Sequence, residues 1–182
     1  MNVSGKLLVA VPALTDPNFH QAVVFVIEHT PDGSFGVILN RPTELAVGDP
    51  LPGAAASEPA VVFDGGPVLR EGALAIGRAV PETIGWTPFA SGPAADIGMV
   101  DVERALTVGW PDMVALRVYS GHSGWSAGQL DAEVAEDGWV VAEASAADLF
   151  TPTPEDLYRV ALERAGTAPQ LSRFIPPDPS LN

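Results

Sequence analysis

The run Val23-Val24-Phe25-Val26-Ile27-Glu28-His29-Thr30-Pro31-Asp32-Gly33-Ser34-Phe35-Gly36-Val37-Ile38-Leu39-Asn40 decides the fold. Its first five residues are continuous, apolar and mostly β-branched, the pattern of a central strand covered on both faces. Pro31 presets φ and Gly33 tolerates positive φ, so Pro31-Asp32-Gly33 reads as a hairpin turn into a second strand over 35–40. An antiparallel pair at the centre argues against a purely doubly wound sheet.

Outward from this hairpin, short apolar runs at Lys6–Pro12, Val61–Asp64, Leu74–Ile76 and Met113–Tyr119 read as further strands. Prolines break 41–60 and 81–95 into loops, and Pro169, Pro176, Pro177 and Pro179 make the C-terminal stretch extended. Two helices are announced by their ends. Thr153 is placed as an N-cap with Pro154 at the first helical position, Leu157, Val160, Ala161 and Ala165 recur at helical spacing, and Gly166 is placed as a left-handed C-cap. Ser126-x-x-Gln129 has the form of a capping box, with Trp125 and Leu130 at staple positions. There Asp131, Glu133 and Glu136 are expected in solvent, and Leu130 and Val134 inside. A shorter helix is expected over Asp101–Leu106.

The chain has 182 residues, 47% of them hydrophobic, enough for one sizeable core. The reading is a single α+β domain over residues 1–168 and a proline-rich tail over 169–182. Nine Lys and Arg against 23 Asp and Glu give a net charge of −14. Such a surface repels phosphate backbones, which argues against nucleic acid as a partner. With no cysteine, thiolate catalysis, disulfides and Cys-ligated metals are excluded. The apolar runs fall short of the roughly 18 residues that a bilayer needs. Lys6 and Leu7–Val11 faintly suggest a signal peptide, but Pro12 interrupts the run and no cleavage site follows, so a cytoplasmic protein is expected.

Three segments are candidates for chemistry. Gly121-His122-Ser123-Gly124-Trp125 has the form of a nucleophile elbow at a strand-to-helix turn. Against that stand Trp125, where a small residue belongs, and the lack of any histidine after residue 122. Phe63-Asp64-Gly65-Gly66-Pro67 ends a strand on two glycines, a shape able to hold an anion in a nest of N–H groups or simply to turn the chain. Glu28-His29 and Asn40 lie at opposite ends of the hairpin, so they make a poor metal site. The simpler role for His29 and Asn40 is bonding the backbone at strand ends.

Several blocks taken together resemble the AlgH/YqgE family of bacterial proteins. They are Gly5-Lys6-Leu7-Leu8 with Asp16-Pro17-x-Phe19; Glu28-His29 with Gly33-x-x-Gly36-x-x-x-Asn40-x-Pro42; Gly65-Gly66-Pro67-Val68; and Gly124-Trp125-x-x-Gly128-Gln129-Leu130-x-x-Glu133 with Trp139. The chain departs from the pattern at His122, where relatives carry an aromatic residue, at Leu74–Arg78, which lacks a histidine, and in the short proline-rich loop at 41–60. The resemblance implies a bent, largely antiparallel sheet approaching a barrel, with helices packed outside. It implies little about activity, since the family is described as transcriptional regulators without a settled biochemistry.

The expectation is therefore a non-enzymatic regulatory or binding protein acting through a protein or small-molecule partner. Asp64, Gly65, Gly66, His122 and Ser123 are its contact candidates if the fold brings their loops together, with no metal and no cofactor. A small hydrolase using Ser123 or His122 with Asp64 is the alternative, and direct DNA regulation the third reading.

Overall fold

The computed structural model describes residues 1–166; the tail expected over 169–182 lies outside them. The central hairpin forms as read. β1 (Lys6–Ala10), β2 (Val23–Thr30) and β3 (Gly33–Ile38) are consecutive antiparallel neighbours, and Thr30 pairs with Gly33 across a two-residue turn. Val23 and Phe25 enter one core cluster while Val24 and Val26 enter another, so β2 is covered on both faces.

The remaining strands are β4 (Pro42–Ala46), β5 (Val61–Asp64), β6 (Val68–Arg78), β7 (Trp86–Pro88), β8 (Ile97–Val100), β9 (Ala115–Ser126) and β10 (Trp139–Glu143). They run in the order β10-β1-β2-β3-β9-β6-β8-β7, with the β4–β5 pair attached to β9. Every pairing is antiparallel except β5 with β9. The sheet curls into a half-barrel, and the loop after β7 approaches β1 and β2, placing Phe89 5.6 Å from Phe25. Inside lie Leu7, Val9, Phe25, Phe63, Ile97 and Tyr119. Two further clusters, around Trp139 and around Val118, cover the outside. At roughly 25 cal/mol per Å² of apolar surface removed from water, such burial is what holds a sheet curled.

Helices are short: α1 (Val102–Val108), α2 (Gln129–Ala135), α3 (Ala146–Leu149) and α4 (Leu157–Arg164). Asp101, expected as the first residue of a short helix, instead caps α1 by accepting the Arg104 N–H at 2.9 Å. Three expected caps are corrected. Ser126 belongs to β9, and α2 begins three residues later behind Gly128 in the left-handed region. Only the reverse arm of that capping box exists, with Gln129 Oε1 accepting the Ser126 N–H at 3.1 Å. Thr153 precedes a 3₁₀ turn (Pro154–Asp156) without a side-chain cap bond. At the other end Ala165 is the C-cap of α4 at φ −83°, and Gly166 only closes the last turn onto the Glu163 carbonyl.

Two boundaries move far. The strand expected to stop at Tyr119 runs on to Ser126, and the one expected over Leu74–Ile76 starts at Val68. The proline-rich stretch 41–60 contains a short exposed strand, β4. β7, β8, β10 and α3 carry too few residues, or too mixed a pattern, to announce themselves.

Candidate functional site

β9 is the branch point of the sheet. Along one edge its first half pairs with β5 (Val62 with Val118, Asp64 with Ser120), and its second half pairs with β3 (Gly36 with Ser123, Gly33 with Ser126). Along the other edge it pairs with β6 from Ala115 to His122, across a bulge between Val68 and Ala73. The segments expected to carry chemistry meet where the edge partner changes. Gly121-His122-Ser123-Gly124 is therefore strand interior, not a strand-to-helix turn, and the nucleophile-elbow context is absent.

Gly65 and Gly66 cross β9 in direct backbone contact. The Gly65 N–H donates to the Ser120 carbonyl at 2.9 Å, and the Gly65 carbonyl accepts from the Ile38 N–H at 3.0 Å. A methyl group on Gly66 (φ +142°) would stand 2.4 Å from the His122 carbonyl carbon, and one on Gly121 (φ +70°) 2.5 Å from the Gly66 carbonyl oxygen. Neither site has room for a side chain. An anion nest does not survive here, because the Gly66 N–H donates to Asp64 Oδ1 at 3.1 Å.

The five candidates thus come together, with unequal access. Ser123 is 0% exposed and its hydroxyl donates to the Gly65 carbonyl at 3.2 Å. That geometry gives it neither a base nor a path for substrate. His122, facing away from its neighbour as strand residues do, is half-buried edge-on to Phe35 at 6.0 Å. Among the described residues its ring nitrogens have no hydrogen-bond partner. Asp64 reaches Arg70 across the bulge at 3.4 Å.

The bulge itself is the exposed part. Leu69 holds φ +50°, costly for a branched side chain, and is 68% exposed, with Val68 beside it at 38%. One shallow cleft of about 170 Å³ runs between Leu69, Leu74, Gly121 and His122. A second of about 190 Å³, sharing Gly72 and Ala73 with the first, is lined by Leu51, Val62 and Val118 and by Leu45, Arg70 and Glu71.

Two features escaped the sequence reading. Glu133, expected in solvent, is turned inward. One of its oxygens accepts both indole N–H groups, from Trp125 at 2.9 Å and Trp139 at 2.8 Å, and the other accepts Gln129 Nε2 at 2.9 Å. Phe19 stacks on Trp125 with ring centres 5.7 Å apart and meets Trp139 edge-on. The clue in the chain was Glu133 between two tryptophans, inside one of the resembling blocks. The second feature is Arg117, 2% exposed, lying 4.3 Å over the Phe63 ring and donating to the Glu58 and Thr151 carbonyls. Burial lowers its pKa, which Tyr119 partly offsets; burial pushes the Tyr119 phenol well up, opposed by the Arg117 charge. Nothing in an alternating strand marks that arginine as internal.

His29 and Asn40 play the roles expected of them. His29 Nδ1 accepts the Val3 N–H at 3.2 Å, and Asn40 bridges Val23 N–H and the Gln21 carbonyl at 2.9 Å each. Among the described residues no group of three or more His, Asp or Glu side chains is placed to hold a metal ion. No described helix is long and apolar enough to cross a membrane.

A profile of AlgH-like proteins matches residues 7–170. A UPF0301 protein of Streptomyces coelicolor is 42% identical over 191 residues, covering 100% of this chain and 96% of the relative. One from Thermobifida fusca is 42% identical over 198 residues, with the same coverage. Among solved structures, protein DIP2367 from Corynebacterium diphtheriae aligns with a TM-score of 0.79 at 25% identity, over 92% of this chain and 89% of that one. The AlgH protein from Pseudomonas aeruginosa aligns with a TM-score of 0.69 at 26% identity, over 98% and 95%.

Proposed function

The chain belongs to the AlgH-like family, and on that premise we propose that it is a cytoplasmic, non-enzymatic binding protein. It acts through a protein or small-molecule partner recognised at the β6 bulge, beside Asp64 and His122. The observation that carries this reading is the contrast within the candidate set. The hydroxyl that a hydrolase would need is sealed and spent on the Gly65 carbonyl. Leu69 and Val68 instead are exposed, and Leu69 lines the smaller cleft with the unpartnered, half-buried His122 ring. A strained, exposed apolar residue persists only where its surroundings over-determine it, and recognition sites are where such strain collects.

Direct DNA contact is disfavoured by the charge of −14, so a regulatory effect of this protein runs through that partner. The test is amide shift mapping of the full chain against a library of metabolites and short peptides. Ligands of this site shift Asp64, Val68–Ala73 and His122 together. Shifts confined to other surfaces, or a serine-reactive probe that labels the wild type but not Ser123→Ala, would overturn the reading.

A further inference from the structure

Between the pairs Val68–His122 and Ala73–Ser120, β6 sets four residues, 69–72, against the single residue Gly121 of β9. Leu69 takes φ +50° there and stands 68% exposed, so its side chain bears a strained backbone and stays in water. It lines the smaller cleft, whereas Arg70, Glu71, Gly72 and Ala73 line the larger. Leu45, Leu51, Val62 and Val118 give the larger cleft apolar walls. Its volume of about 190 Å³ exceeds the roughly 150 Å³ that accepts a benzene ring, so the four carbons of a leucine side chain fit. Alternation fixes where Leu69 turns when the strain is released. In extended backbone, residues two apart share a face, so an extended Leu69 projects with Glu71, on the side of the larger cleft. Two contacts pin the bulge as it stands. The Ser120 hydroxyl donates to the Arg70 carbonyl at 2.5 Å, and the Arg70 guanidinium pairs with Asp64 at 3.4 Å.

From this juxtaposition we infer that the β6 bulge is a two-state latch: Leu69, released from the left-handed region, swings its side chain into the larger cleft and closes it. Closure relieves the backbone strain and takes the leucine out of water, while the two pins at Arg70 favour the open state. As the larger cleft fills, the smaller one loses the wall that Leu69 gives it beside His122. A ligand that needs either cleft therefore selects the open bulge. The latch regulates the site proposed above, and only that consequence rests on the binding reading.

The motion itself is measured without a ligand, by amide and methyl relaxation dispersion on the full chain. The expected result is one exchange process shared by the amides of 68–73 and the methyls of Leu51, Val62, Leu69 and Val118, with a minor state of about 1% or more. Arg70→Gln removes the ion-pair pin and raises that population roughly threefold. Leu69→Gly is at ease at positive φ and carries no side chain, so the exchange at the cleft methyls disappears. Ile84→Ala, at another exposed apolar position, leaves it unchanged. Absence of exchange, exchange that spares the cleft methyls, or exchange that neither Leu69→Gly nor Arg70→Gln alters overturns the inference. The ligand library fails or succeeds separately. Ligands that shift Asp64 and His122 in a protein without this exchange leave the binding reading standing and remove only the latch. Exchange beside a silent library keeps the latch and removes the binding reading.

Discussion

The glycine crossing at Gly65–Gly66 and the carboxylate lock at Glu133 both hold β9 in place, by opposite means. At the crossing two backbones touch, so its tolerance for an added atom is nil. At the lock, side chains meet through hydrogen bonds between 2.8 and 2.9 Å, and each can be weakened by degrees. Both lie within segments that as bare sequence look functional. The contrast teaches that a motif of small and polar residues in this chain encodes close approach first, and that recognition is left to the exposed residues bordering it.

Breaking the crossing gives the largest effect. Gly66→Ala places a methyl 2.4 Å from backbone carbon, and about 4 kcal/mol or more of stability is lost, or folding fails outright, as read from urea midpoints. A stability change below about 1 kcal/mol would show that the two backbones are not in contact. Breaking the lock costs less. Glu133→Ala strips two buried indole N–H groups of their acceptor, and a loss of about 3 kcal/mol is expected, whereas Glu133→Gln retains an acceptor oxygen and loses about half that. Equal losses for the two variants would mean that packing, and not hydrogen bonding, sets the cost.

Alkali sharpens the comparison, because Tyr119 packs beneath the crossing, its Cβ 3.1 Å from where a Gly65 side chain would begin. Burial raises its folded-state pKa above the unfolded value of about 10, so the folded state holds the proton longer. The stability this contributes is complete below about pH 10 and declines above it, by up to about 1.4 kcal/mol per pH unit. Denaturant midpoints at pH 9 and pH 11 measure it, and Tyr119→Phe flattens the fall. Smallest is Ser123→Ala, which removes one bond to a carbonyl still served by the Ile38 N–H and so costs about 1 kcal/mol. A cost several times larger would mean that the serine, and not the glycines, pins the crossing.

Much of the fold is legible because its signals are local. The β2–β3 hairpin is set by β-branched runs about a proline–glycine turn. Residues 120–126 mislead for a physical reason. Ser120, Gly121, Ser123 and Gly124 read as turn chemistry, yet the strand runs through them, with Ser120 and His122 paired to β6 and Ser123 and Gly124 to β3. Glu133 follows the solvent face of a helix by spacing, and its indole partners eight residues before and six after become visible only once β9 and β10 flank α2. Whether the Asp64 and His122 loops meet was conditional on the fold: the backbones of Gly65 and Gly66 touch β9 at Ser120–Ser123, and of the two clefts described beside them His122 lines one and Asp64 neither. The clefts were out of reach, since each is a gap between segments distant in sequence, and an alternating pattern cannot show a gap.

β9 begins only at residue 115, yet β3, β5 and β6 all take their edge partner from it. On the ribosome, roughly the first two-thirds of the polypeptide must emerge before any of those strands can be completed. The early hairpin waits with an open side in the meantime, a slow and non-local route that leaves the nascent chain dependent on protection from aggregation until its keystone arrives.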